Sequence, residues 1–205
     1  MAERESARLA AVILAAGAGR RFAEQSGGRK LLAPFEGRPL VAGALDAAFG
    51  SPARRVLLVT GGDLELAAIA RDHARALGRE DDLDIVVAAR AAEGMGASLG
   101  AAVAALSPEI EAVLVFLGDM PRVPAGLAQA LLDALTPGFD AAAPRFAGRR
   151  GHPVLFGGAC FAALRGLSGD VGAREVLASI GERLALIDSP DAGVLFDVDR
   201  PQDLA

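Results

Sequence analysis

The sequence predicts an α/β fold, a three-layer α/β/α sandwich around a mostly parallel sheet, and three observations carry that expectation. Short apolar runs alternate with amphipathic helical stretches along nearly the whole chain, the pattern of strands joined by helical crossovers. The apolar runs are near-continuous, as in strands buried on both faces. The 205 residues are 52% hydrophobic with no second composition regime, which suits one domain spanning 1–205.

The elements follow in order. "AAVIL" (10–14) reads as the first strand, a helix begins near Leu40, and "RRVLLVT" (54–60) is the second long strand. A helix through "LELAAIARDHARAL" leads to the strand "LDIVVAA", and a helix from about Ala97 leads to "AVLVFL" (112–117). The helix "GLAQALLDAL", the strands "FDAAAP" and "HPVLFG", short helices at 159–166 and 172–180, and the strand "RLALID" complete the alternation. Thr136-Pro137-Gly138 and Ser189-Pro190-Asp191 punctuate it as turns.

Composition excludes several classes of function. The formal net charge of −5 argues against a nucleic-acid groove, which needs a basic footprint. No stretch of 18 apolar residues suggests a membrane span. The charged start "MAERESAR" has no signal-type segment, and the single cysteine rules out an internal disulfide framework, so a cytoplasmic location is expected.

The first strand runs into "LAAGAGRRF". Gly17 and Gly19 allow a sharp turn and close approach of backbone N–H groups to an anion. A dinucleotide fingerprint would carry a third glycine where Phe22 stands and would start a helix at once, whereas the polar "AEQSGGR" follows. The phosphate-loop pattern also fails, because Gly28 precedes Arg29 and Lys30 precedes Leu31. Arg20, Arg21, Arg29 and Lys30 face only Glu24 in this stretch, against the balance of the chain. Lys30 is the single lysine beside 20 arginines. Its compact, mobile charge where every other strong base is a planar fork points to a site that requires lysine, the alternative being that a lone lysine must fall somewhere.

In open parallel sheets the ligand crevice lies beyond the carboxyl ends of the strands. Asp119 falls there in "LGDMP", with Pro121 ending the strand, and a second acidic cluster ends the chain in "FDVDRPQDL". Carboxylates from two strand ends, here Asp119 and Asp199, suit a Mg²⁺ ion whose other ligands are phosphate and water. Turn or helix-cap roles are the alternatives, with Asp199 capping a last helix that opens at Pro201.

With "LAAGAGRRF", "KLL", "GMGASL", "LGDMP", "GRRGHPVLF", "GDVGAR" and "DVDRPQDL" in order, the chain resembles the molybdenum cofactor nucleotidyltransferases, and within them the cytidylyltransferase branch. The resemblance implies transfer of a nucleoside monophosphate from a metal-bound nucleoside triphosphate. It implies Leu14, Ala15, Ala16 and Gly17 against base and ribose, and Gly19, Arg21 and Lys30 on the triphosphate. Asp119 and Asp199 would hold Mg²⁺ or Mn²⁺. Ala16 and Ser98 resemble the cytidine-specific form, with CTP as nucleotide and GTP as the alternative. His152 would face the phosphate of a molybdopterin-type acceptor, and a molybdenum hydroxylase or its chaperone would receive the product. "AEQS" stands as an insertion between Arg21 and Lys30 relative to the family, and Arg90 lies near the place of a frequent asparagine.

Other readings remain. Ser98 equally suits a helix cap, His73 a solvated helix face, Cys160 core packing, and Asp170 with Arg174 a cap and an i,i+4 pair. Rival functions are a transferase acting on a sugar phosphate or another small phosphorylated acceptor, a non-catalytic molybdenum cofactor chaperone, and an NAD(P)-dependent oxidoreductase.

Overall fold

The computed structural model describes residues 8–17, 19–170 and 172–204; the charged start read above lies largely outside them, as do Ala18 of the glycine turn and Val171 of "GDVGAR". The strands are β1 (Leu9–Leu14), β2 (Pro34–Phe35), β3 (Arg38–Pro39), β4 (Arg55–Thr60), β5 (Leu83–Val87), β6 (Ala112–Leu117), β7 (Ala141–Phe146), β8 (Arg149–Arg150), β9 (Val154–Gly157) and β10 (Leu184–Asp188). The α-helices are α1 (Arg20–Ser26), α2 (Val41–Phe49), α3 (Leu64–Ala76), α4 (Met95–Ala104), α5 (Leu127–Ala134), α6 (Phe161–Arg165) and α7 (Arg174–Ile180).

The main sheet runs β10-β7-β9-β6-β1-β4-β5, with β8 paired to β7. The pairs β1–β4, β1–β6, β4–β5 and β7–β10 are parallel; β9 runs antiparallel to both β6 and β7. Successive strand residues point to opposite faces, and this divides the core into two layers. Leu9, Ala11 and Ile13 of β1 pack with α2, α3 and α5, whereas Ala10 and Val12 pack with α4, α6 and α7. That double burial is why the strands carry unbroken apolar runs. A third, smaller cluster of Phe22, Phe35, Leu40 and Val198 lies beneath α1 and the β2–β3 hairpin.

Three local features differ from the sequence expectation. The polar stretch after the glycine turn is the helix α1, bounded by Gly19 (φ 55°) and Gly27 (φ 66°). Burial of Phe22 anchors it, and the Ser26 hydroxyl donates to the Phe22 carbonyl at 2.9 Å. His73 is not solvated: its ring stacks on Phe49, and Nε2 lies 3.1 Å from Asp46 Oδ1. The last helix is a short 3₁₀ turn, Pro201–Leu204. Asp203 caps it from within, accepting from the N–H groups of Asp199 at 2.9 Å and Arg200 at 2.8 Å, so the Asp199 carboxylate is free for other partners.

Gly43 in α2 faces the backbone of Pro121, just past Asp119, so closely that a β-carbon would overlap it. Gly43→Ala is therefore expected to destabilise the protein by about 1–3 kcal/mol. Urea unfolding should show a lower midpoint at unchanged m-value; an unchanged midpoint would contradict the close approach.

Candidate active site

The strand order reverses at β1, since the chain passes first to β4 and β5 on one side and later to β6 on the other. A crevice opens at such a point beyond the carboxyl ends. Leu14 pairs with Leu117 in register, and the Gly118 N–H donates to the Leu14 carbonyl at 3.0 Å. The glycine turn after β1 and Asp119 after β6 therefore lie side by side.

Within the turn the residues separate by role. Ala15 is buried, its N–H donates to the Val59 carbonyl at 2.9 Å, and its methyl group lies in van der Waals reach of a β-carbon placed on Gly118. Leu14 and Ala16 are half-buried. Gly17 is exposed, and among the described residues beyond its chain neighbours no atom lies within 4 Å of a β-carbon placed on it. Gly19 is left-handed, and a β-carbon there would sit 3.1 Å from the Lys30 Cβ. The turn thus leaves open space beside Gly17 and lies against the stem of the lysine.

Lys30 opens a 3₁₀ turn, Lys30–Leu32, whose Leu31 and Leu32 pack against the core. Its Nζ lies 2.6 Å from Asp119 Oδ2 and 3.2 Å from Asp199 Oδ1, and its side chain is 12% exposed. Burial works against the ammonium, but the two carboxylates outweigh it and hold the lysine above its ordinary pKa. Arg21, mostly exposed, reaches Asp199 Oδ2 at 3.5 Å. Asp199 is brought here by Val198, which is fully buried and donates its N–H to the Asp119 carbonyl at 3.1 Å. Asp197 flanks Val198 on the other side, its pKa pushed up by burial and then by Asp199 and Asp119. Sequence reading passed over Asp197, although an acid-Val-acid run around one buried residue was the signal for it.

Other candidates stand apart from this cluster. Arg29 pairs with Asp63 and Glu65, and Asp63 caps α3 by accepting the Leu66 N–H at 3.0 Å. Arg29 therefore fastens the loop to the β4–α3 turn. Ser98 is buried inside α4 and donates to the Gly94 carbonyl at 3.4 Å, so it is not the helix cap. The segment 164–170 crosses the start of α4, where the Gly96 N–H donates to the Gly169 carbonyl at 2.8 Å and a β-carbon on Gly94 would strike the Asp170 carboxylate. Cys160 is buried, as core packing expects. His152 is fixed by its N–H, which donates to the Val194 carbonyl at 2.9 Å, while its ring Nδ1 is sealed from solvent without a partner among the described residues.

The donor set fits a divalent cation. Asp119 follows β6, whereas Asp199 lies not at a second strand end but in the segment before the last 3₁₀ turn. The two carboxylates share the Lys30 ammonium, with Arg21 beside Asp199, and carboxylate oxygens are what Mg²⁺ and Mn²⁺ prefer.

Carboxylates, a mobile cation and open backbone at a switch point suit work on a polyphosphate, and the class of protein this fold and crevice define is a nucleotidyltransferase. The chain belongs to the MobA-like NTP transferase domain family, whose pattern matches residues 11–184. It is 30% identical over 201 residues to the purine catabolism protein PucB of Bacillus subtilis, covering 95% of this chain and 93% of that protein. It is 34% identical over 196 residues to the nicotine blue oxidoreductase of Paenarthrobacter nicotinovorans, covering 92% and 90%. Among solved structures it resembles the Rv0371c complex with manganese from Mycobacterium tuberculosis, 28% identical with a TM-score of 0.71 over 96% of this chain and 95% of that one.

The buried His152 generates a pH prediction. Burial holds its imidazole below its ordinary pKa of 6.5, against the Val115 backbone and the Asp119 charge, which draw it up. The unfolded chain then takes up that proton more readily, so the contribution is whole above about pH 6.5 and is lost as pH falls through the depressed value. His152→Asn should flatten the fall in unfolding free energy on acidification from about pH 6.5 to 5. An identical slope in both proteins would contradict the assignment.

Proposed function

We propose that this nucleotidyltransferase transfers CMP from CTP to the terminal phosphate of a molybdopterin-type acceptor, releasing pyrophosphate. The single observation that carries the transferase chemistry is the convergence of Asp119, Asp199 and Lys30 beside an open glycine turn. The acceptor and the base rest on the family resemblance, with Ala16 and Ser98 bearing on the choice of cytidine.

An acceptor phosphate oxygen attacks the α-phosphorus, the bond to the β-phosphate oxygen breaks, and no covalent enzyme intermediate forms. Asp119 and Asp199 would hold Mg²⁺ or Mn²⁺, which would neutralise charge on the phosphates; the solved relative with manganese supports a divalent ion. The backbone of Gly17 and Gly19 receives phosphate closely, and Lys30 with Arg21 balances the charge that develops on the leaving pyrophosphate. His152, whose imidazole burial holds below its ordinary pKa, stands on the acceptor side by the family resemblance.

One observation favours a second reading: a relative of this chain bears the name of an oxidoreductase. A helix does follow the glycine turn, as a dinucleotide loop would have, but Phe22 stands at the third glycine's place and is 2% exposed in the small apolar cluster. The turn therefore lacks the close helix packing that such a loop needs.

Pyrophosphate release from CTP and from GTP, with and without molybdopterin, tests the proposal, beside an NADPH oxidation assay. Acceptor-dependent release from CTP in preference to GTP is expected, and Asp119→Asn should abolish it while the protein stays folded. Equal kcat/KM for the two nucleotides would overturn the choice of base, and NADPH turnover without pyrophosphate would favour the second reading.

Lys30→Arg should lower kcat about a hundredfold, a loss of roughly 3 kcal/mol of transition-state stabilisation, because the bulkier fork cannot occupy the same point. Wild-type turnover in that variant would remove the lysine from the chemistry.

A further inference from the structure

Lys30 bridges one oxygen of Asp119 and one of Asp199, at 2.6 and 3.2 Å from its Nζ. A divalent ion held by Asp119 and Asp199 would draw on the carboxylate oxygens that the ammonium now occupies. The ammonium and that ion compete for one space and repel each other as cations. We infer that Lys30 is a displaceable counter-ion that keeps free divalent metal out of the resting site, and that a bound triphosphate admits the metal by drawing the lysine away. This rests on the metal-dependent nucleotidyltransferase reading above and adds the coupling between its two ligands.

Two observations support the coupling. The lysine is fixed at its base, by the packing of Leu31 and Leu32 and by the glycine turn against its Cβ, so only the end of its stem has to swing. The turn that contacts this stem is also the one with open space beside Gly17. A divalent ion brings the two carboxylates twice the charge of the ammonium, so the exchange is favourable once the phosphates take the lysine.

The chemistry of the side chain explains why a chain otherwise reliant on arginine keeps a lysine here. A guanidinium fork would grip a carboxylate through two parallel hydrogen bonds and resist displacement. An ammonium on a flexible four-carbon stem is a point charge that exchanges partners. By linkage, whatever factor the nucleotide adds to metal affinity, the metal adds to nucleotide affinity.

The test is a titration of Mn²⁺ followed by electron paramagnetic resonance, with the wild type, Lys30→Met and Asp119→Asn, alone and with α,β-methylene CTP or α,β-methylene GTP. Without nucleotide, Lys30→Met should bind Mn²⁺ about tenfold more tightly than the wild type, and Asp119→Asn should bind it no better. The analogue should strengthen Mn²⁺ binding by the wild type by a larger factor than binding by Lys30→Met, where only the added phosphate oxygens contribute. Mn²⁺ should also raise the Tm of Lys30→Met more than that of the wild type; Lys30→Gln serves if the methionine variant does not fold. The inference is overturned if Lys30→Met binds free Mn²⁺ no more tightly than the wild type while the wild type still binds it with an analogue and Asp119→Asn does not. Absence of Mn²⁺ binding by the wild type with either analogue would overturn the metal-dependent reading and this inference together.

Discussion

The ion pairs that Lys30 makes with Asp119 and Asp199 fasten together three parts of the chain that are remote in sequence: the loop after β1, the end of β6, and the segment before the last turn. Carboxylates converging in a half-buried crevice repel one another, and the ammonium between them offsets that repulsion. Val198 supplies the opposing anchor, since its side chain is fully buried and its N–H is bonded to the Asp119 carbonyl. Apolar burial and charge neutralisation thus act on adjacent residues. One fixes the backbone, and the other makes its acidic neighbours tolerable.

The walls of the crevice are built by close backbone approaches. On one side Arg29 ties the loop before Lys30 to Asp63 and Glu65, and Asp63 at the same time caps α3, so loop and helix share one carboxylate. On the other side the glycines of α4 let the segment 164–170 lie directly on the helix. Side chains at those glycines would hold the two apart. The site owes its shape to where side chains are missing as much as to where they are charged.

The alternation of strands and helices was legible because the strands are buried on both faces and their apolar runs are unbroken. Asp119 was legible for a related reason: a glycine before it and a proline after it mark a strand end. Lys30 stood out by composition. What stayed hidden depends on partners distant in sequence. The helix α1 reads as polar, and its single anchor, Phe22, acquires meaning only once Phe35, Leu40 and Val198 surround it. His73 looks like a surface residue on a charged helix until Phe49 and Asp46 are placed beside it. Proline at the first position of the last turn pointed to Asp199 as the cap, but Asp203 caps that turn from inside, which local sequence cannot distinguish.

The direction of β9 has a mechanical consequence. Every other pairing along the path β10-β7-β9-β6-β1-β4-β5 is parallel, and β9 stands between β6 and β7, so the sheet is two parallel halves joined by one short strand. Four residue pairs join this strand to β6, and two join it to β7. Backbone hydrogen bonding is therefore sparsest along the β7–β9 seam, and any shear between the half that carries the glycine turn and the half that carries the β7–β8 hairpin concentrates there. His152 lies two residues before β9, tethered to Val194 by its backbone. A displacement along the seam would reach that imidazole through Pro153, whereas Lys30 and Asp119 lie with the half that carries the glycine turn and Asp199 comes to them from the segment after β10.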